Sequence, residues 1–178
     1  MVKYLNFYLA VFQAFGIDEK TGVIYVNENI DREVRNVYDL TVTAQDQGKP
    51  PLSSSVPVRV HISDINDNAP ACNSVATMLV PADSAPATTV GTIVITDPDN
   101  GPNGTVIYRS QQAHQLFVVK SNGDVQLRRA LTETDPTDVR LSIIASDQGN
   151  PRKSTVCHVQ LRIGKGTSTV KVVEPFER

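Results

Sequence analysis

The chain has no tryptophan, two cysteines and three histidines. Two cysteines do not define a disulfide framework, and neither Cys72 nor Cys157 stands at a metal-ligand spacing. His61, His114 and His158 are isolated from one another and read as solvated surface histidines. No nucleophile–base pairing, phosphate loop or zinc spacing is present. No apolar stretch approaches the ~18 residues that a membrane-spanning helix needs. Neither sign of charge dominates: the net charge is −2, which gives no basis for binding nucleic acid or an anionic membrane. Glu133 and Asp135 are the nearest thing to a catalytic carboxylate pair, and nothing supports a substrate cleft around them. The sequence therefore argues against an enzyme and against a small-molecule substrate. Charged residues stand at an ordinary 20 %, so a folded chain is expected rather than a disordered one.

What the chain does have is alternation. Leu40, Val42 and Ala44 alternate with Asp39, Thr41 and Thr43. Val56, Val58, Val60 and Ile62 alternate with Pro57, Arg59 and His61. Further on, Leu141, Ile143 and Ala145 alternate, and so do Cys157, Val159, Leu161 and Ile163. Period-two runs broken by glycine and proline turns predict strands of a two-sheet sandwich. Nothing long repeats at 3.6 residues, so almost no helix is expected.

The alternation belongs to an internal repeat. Leu, Ala, Asp, Gln, Gly and Pro recur between the segments 38–50 and 139–151 at one offset, 101 residues, and Gly22 and Gly123 share it. A period near 100 means one small domain per repeat. The second copy reads as complete from residue 70 to 164, with room for about seven strands. The first copy, residues 1–69, reads as truncated. Val2-Lys3-Tyr4 resembles Val106-Ile107-Tyr108, and what precedes that tripeptide in the second copy has no counterpart in the first. The apolar segment from Leu5 to Phe15 lacks a small-residue cleavage site, so it reads as part of the first copy rather than as a signal peptide. Two edge strands would be missing, which leaves residues 1–69 expected to be less stable than 70–164. Residues 165–178 are a tail or the start of another segment; Val170, Val172 and Val173 would suit a strand there.

Oxygen donors concentrate between the copies. Asp64-Ile65-Asn66-Asp67-Asn68-Ala69-Pro70 carries two further donor segments around it: Asp31-Arg32-Glu33 upstream and Asp97-Pro98-Asp99 downstream. Asp147 completes the set. These are hard ligands with no soft ones among them, the chemistry that calcium takes with six to eight oxygens in loose geometry. Any one such segment is an ordinary turn composition; four in this order are specific.

That set resembles the calcium-binding linker of the cadherin superfamily, and the order of strand-like segments in the second copy is similar to a cadherin repeat. The resemblance covers nearly all of residues 1–164. It implies an all-β fold: tandem Greek-key, seven-stranded, immunoglobulin-like β-sandwiches, the first truncated. It implies up to three calcium ions. Asp31 and Glu33 would come from the upstream repeat. The linker would give the side chains of Asp64, Asn66 and Asp67 and the carbonyls of Ile65 and Asn68. The downstream repeat would give Asp97, Asp99, the Asn103 carbonyl and Asp147. A glutamate that the family uses near the start of the upstream repeat has no counterpart here. One position, built from Asn66, Asn68, Asp97, Asp99, Asn103 and Asp147, is therefore expected to be firm, and one or two others weak.

At the far end of the second copy the pattern stops. Under the offset, Asp31 maps to Thr132, Glu33 to Thr134, Asp64 to Lys165, Asp67 to Ser168 and Asn68 to Thr169. Pro81-Ala82-Asp83 stands where the family has Pro-Glu-Asn. No calcium is expected at that end. Cys157 lies in the inward phase of its strand, with Val56, a core position, as its offset partner, and Cys72 stands where the family has a buried Phe. A disulfide and two buried free thiols both stay open. Asn103-Gly104-Thr105 is a glycosylation sequon.

The implied function is calcium-dependent cell–cell adhesion of the homophilic type, on the extracellular side of the plasma membrane, in a membrane-anchored parent protein. The implied partners are other cadherin molecules, homophilic or heterophilic. A structural spacer without partner contact is the alternative. The lack of tryptophan favours it for this segment, because classical cadherins exchange an anchoring Trp between outermost repeats.

Overall fold

Each alternating run forms a strand. The computed structural model describes residues 3–5, 14–72 and 76–164, in two compact units, Met1–Asp64 and Ile65–Arg178. Among the described residues there is no helix. The Leu5–Phe15 segment lies largely, and the 165–178 tail wholly, outside those residues.

In the first unit β1 (Lys3–Leu5), β4 (Val37–Gln45) and β5 (Ser53–His61) form one sheet, and β2 (Phe15–Ile17) pairs with β3 (Ile24–Val26) in another. The core is small. Phe15, Tyr38 and Leu40 are buried, with Phe15 edge-on to Tyr38 at 5.1 Å between ring centroids and the Arg35 guanidinium 4.5 Å over the same ring. An aromatic pair of this kind adds about 0.5–1.5 kcal/mol beyond its area.

The second unit carries seven described strands: β6 (Ala76–Pro81), β7 (Thr89–Thr92), β8 (Ile107–Ser110), β9 (Phe117–Val119), β10 (Asp124–Leu127), β11 (Asp138–Ser146) and β12 (Ser154–Gly164). The sheets run β6-β12-β11-β8 and β7-β10-β9. This is a Greek-key β-sandwich. Its core takes the inward phase of every long strand: Leu141, Ile143 and Ala145 from β11, and Cys157, Val159 and Leu161 from β12. Leu116, Phe117, Val125 and Leu127 face them. Each fully buried Leu, Ile or Phe contributes roughly 1.5–3 kcal/mol, and this core holds many more of them than that of the first unit.

The 101-residue offset carries down to register. β4 pairs with β5 from Val37↔His61 to Gln45↔Ser53; β11 pairs with β12 from Asp138↔Arg162 to Ser146↔Ser154. Tyr4 pairs with Ala44, and Tyr108 with Ala145, matching the tripeptide resemblance. Gly22 and Gly123 both adopt positive φ, 73° and 92°. At Gly123 a Cβ would strike the Ile93 carbonyl, so the β9–β10 turn needs glycine there.

Two expectations are corrected. Val56 is not a core residue but 54 % exposed, because the first unit's second sheet has only two described strands to lie over β5. His114 is not a solvated surface histidine. It is half-buried, its ring stacks on Phe117 at 5.8 Å, its Nδ1 accepts from the Leu116 N–H at 3.2 Å, and desolvation lowers its pKa. His158, also half-buried, meets the Ser142 hydroxyl at 3.2 Å; His61 is exposed. Cys72 and Cys157 form a disulfide with a Cα–Cα distance of 5.9 Å. It ties the segment before β6 to β12, its parallel neighbour.

Candidate metal centre

The donor residues fall into both units. Asp31, Glu33 and Asp64 lie in the first; Ile65, Asn66, Asp67, Asn68, Asp97, Asp99, Asn103 and Asp147 lie in the second.

In the first unit Asp31 opens a turn, its Oδ1 accepting from the N–H of Glu33 at 2.9 Å and of Val34 at 3.2 Å. Arg32 joins the other two acids through salt bridges to Glu33 and to Asp64, 2.5 Å each. Two carboxylates are thus drawn together around one guanidinium.

The second unit assembles its donors around Asp147, which has no exposed surface. β11 ends one residue before it, and the chain turns through Gly149 and Pro151 into β12. Asp147 Oδ1 accepts from the N–H of Gly149 and of Lys153, each at 3.0 Å. Its Oδ2 accepts from the Asn66 amide, also at 3.0 Å. Burial pushes the Asp147 carboxyl up, but the Asn66 amide and the two backbone donors outweigh it, and the group lies below the ordinary carboxylate value.

Asp97 and Asp99 lie on the loop after β7. The Asp99 N–H donates to Asp97 Oδ1 at 3.0 Å. Asn68 clasps Asp99 twice, through its side-chain amide to Oδ1 at 2.7 Å and its backbone N–H to Oδ2 at 3.2 Å. Asp99 is 7 % exposed. The loop closes through Gly104, where a Cβ would collide with the Asp99 carbonyl, and a Cβ on Gly149 would meet the Asn66 amide and Asn103 Oδ1. Burial raises the Asp97 pKa, and the neighbouring charges of Asp99 and Asp147 raise it further.

Two acceptors of this cluster are buried without a hydrogen-bond partner among the described residues: Asn66 Oδ1 and Asp97 Oδ2. The Asn66 amide nitrogen is used twice, on Asp147 and on the Pro151 carbonyl at 2.7 Å, so its oxygen is turned the other way. A buried acceptor left unmade costs about 1–3 kcal/mol. Carboxylates of like charge, buried side by side with orphaned oxygens, are a donor set that fits a hard divalent cation. The remaining linker residues are peripheral to it. Ile65 is 64 % exposed, its carbonyl accepting from the Asp67 N–H at 3.0 Å. The Asp67 side chain takes the Asn68 amide at 2.9 Å.

Sequence reasoning named the acids but missed Gly149, whose lack of a Cβ admits Asn66, and Lys153, whose ammonium donates to the Asp67 carbonyl at 2.6 Å. The repeat offset contained both signals: Gly149 matches Gly48, whereas Lys153 stands where the first copy has Leu52. At the opposite end of the unit Thr132 and Thr134 bond each other at 3.0 Å. There the Arg129 guanidinium grips Asp135 at 2.8 and 2.7 Å, which holds that carboxyl far below its ordinary value.

A Greek-key sandwich with buried acids at one end defines a class, and comparison with known proteins supplies the family. The cadherin domain model matches residues 2–63 and 77–164. Protein dachsous of Drosophila melanogaster is 36 % identical over 163 residues, 87 % of this chain and 5 % of that protein. Protocadherin gamma-B2 of Pan troglodytes is 37 % identical over 144 residues, 76 % of this chain and 16 % of that protein. Among solved structures, mouse cadherin-23 EC22–24 superposes with a TM-score of 0.80 at 25 % identity, over 93 % of this chain and 53 % of that one. The protocadherin gammaB7 EC3–6 cis-dimer structure gives 0.75 at 30 % identity, covering 91 % and 43 %. The chain belongs to the cadherin family. It spans a small part of the length of these curated relatives, 5 % of one and 16 % of the other.

Proposed function

We propose that this chain is a calcium-stiffened joint of a cell–cell adhesion protein of homophilic type, held on the extracellular side of the plasma membrane by a membrane-anchored parent. The observation that carries the reading is the pair of orphaned buried oxygens, Asn66 Oδ1 and Asp97 Oδ2, beside the buried carboxylates of Asp99 and Asp147.

In this reading Asn66, Asn68, Asp97, Asp99, Asn103 and Asp147 hold one firm calcium. Asp31, Glu33, Asp64, Ile65 and Asp67 contribute to one or two weaker positions. Calcium supplies charge neutralisation and oxygen cross-linking and no chemistry of bonds made or broken. Without it the acids repel and the joint is free to swing. Extracellular calcium modules bind at about 0.1–1 mM; at ~1 mM calcium, a 0.1 mM site adds roughly 1.4 kcal/mol by mass action. That is modest for folding and sufficient for a hinge.

Calorimetric titration of the chain tests this. About one ion at 0.1–1 mM affinity, lost in Asp99→Ala, is the expected result; no binding overturns the calcium reading. A spacer role without partner contact is the second reading, favoured by the lack of tryptophan in this segment. Coated beads that clump only with calcium support direct adhesion with cadherin partners, and beads that stay dispersed support the spacer.

A further inference from the structure

We infer that Lys153 is a tethered counter-ion of the acidic cluster in the second unit, its fixed charge opposing the entry of a divalent cation there. The inference rests on the calcium reading above.

Three observations meet at this residue. First, its ammonium donates to the Asp67 carbonyl at 2.6 Å. Asp67 is the linker's own residue, one step from Asn68, which clasps Asp99. Second, the backbone N–H of Lys153 is one of the donors that fix Asp147. The root of the side chain is therefore pinned against one acid while its tip rests on the linker backbone. A half-buried lysine held at both ends loses little further rotamer entropy on placing its charge. Third, the equivalent position of the first unit is Leu52. There the same turn forms around Asp46 with the same backbone donor, Leu52 N–H to Asp46 Oδ1 at 2.8 Å, and the side chain is 70 % exposed. The turn does not need a cation to fold; the second copy carries one where the acids converge.

The physical consequence is a competition. Asp97, Asp99 and Asp147 share one small volume, and a fixed positive charge offsets part of their repulsion in the calcium-free molecule. When calcium enters the same field, that fixed charge repels it. Lys153 thus stabilises the metal-free unit and raises the calcium concentration at which the joint stiffens. One unit charge near a protein surface is sufficient for a shift of roughly three- to tenfold, diminishing as salt screens it.

The test compares the full chain with Lys153→Leu, Lys153→Met and Lys153→Arg, using calcium chloride titrated calorimetrically and thermal melting in chelator. Expected for both apolar variants are roughly three- to tenfold tighter calcium binding at low salt, a gap that narrows in 0.5 M potassium chloride, and a lower melting temperature in chelator. Lys153→Arg, which keeps the charge, is expected to stay near wild type on both measures. Wild-type calcium binding that is unchanged or weakened in both apolar variants overturns the counter-ion role and leaves the calcium reading standing. Absence of wild-type binding overturns both.

Discussion

Asp46 and Asp147 occupy one place in two copies of the same turn. Asp46 Oδ1 accepts from the N–H of Gly48 at 2.9 Å and of Leu52 at 2.8 Å; Asp147 Oδ1 accepts from Gly149 and Lys153 at 3.0 Å each. Each aspartate's own N–H returns to the carbonyl six residues on, at 2.9 Å in the first copy and 3.1 Å in the second. The carboxylate is therefore positioned by its own hairpin, whether or not a cation is near. What the second copy adds is Asn66, laid against Gly149.

Gly149→Ala follows from that contact. The added methyl would meet the Asn66 amide and Asn103 Oδ1, so Asn66 must leave Asp147. Calcium affinity is expected to fall tenfold or more, while the sandwich loses no more than about 1–2 kcal/mol, because β11 and β12 remain paired above the turn. Gly48→Ala, whose Cβ would meet Asp46 Oδ1 and the Pro50 carbonyl at 3.1 Å, serves as the comparison and is expected to leave calcium binding unchanged. Titration of both variants decides it.

Much of the sandwich was legible in the sequence because strands of this fold advertise their inward phase. Leu141, Ile143 and Ala145 alternate in sequence and are all buried in the structure. The offset holds in the register as well, since two copies of one domain share their pairing. Legibility failed where a residue's surroundings come from another strand. Val56 has the right phase but little above it. His114 reads as an isolated polar residue until Phe117, three positions on, turns back beneath its ring. Lys153 passed unnoticed because its meaning lies in the difference from Leu52 and in a linker that it reaches only after folding. The acids were found by type and order; their orphaned oxygens were not, since hydrogen-bond satisfaction is a property of geometry alone.

The Cys72–Cys157 disulfide spans 85 residues of sequence. A cross-link closing a loop of that length stabilises a small domain by about 2–4 kcal/mol, chiefly by restricting the unfolded chain. Reduction, or the double variant Cys72→Ala with Cys157→Ala, is expected to lower the melting temperature of the second unit by roughly 10–25 °C. Scanning calorimetry with and without reductant reads this directly. Alkylation without reductant is expected to leave the mass unchanged.

His114 supplies a pH dependence. Desolvation depresses its folded pKa below 6.5, so the folded state prefers the neutral ring. The sign follows: this group's contribution is fully present above pH ~6.5 and is lost as pH falls through the depressed folded value. Denaturant midpoints of the wild type are expected to drop more steeply between neutral pH and the folded pKa than those of His114→Gln. An NMR titration of the ring that gives a midpoint at or above 6.5 would contradict the assignment.

The Arg129–Asp135 pair separates calcium ligation from ordinary acid chemistry. The carboxylate takes a two-pronged guanidinium together with the Thr132 N–H at 2.8 Å and its hydroxyl at 3.0 Å. Its oxygens are committed to protein donors, unlike Asn66 Oδ1 and Asp97 Oδ2. Asp135→Asn is therefore expected to leave the calcium isotherm unchanged, while Asp99→Asn, of identical charge change, weakens it at least tenfold. The folded pKa of Asp135 is depressed by Arg129, so its stabilising contribution is present above the unfolded value of 3.8 and fades as pH falls toward the folded one. Acid unfolding curves of wild type and Asp135→Asn should consequently converge only at the acidic end. If Asp135→Asn weakened calcium as much as Asp99→Asn, net charge rather than the assembled donor set would govern binding, and the case built on the two orphaned oxygens would fall.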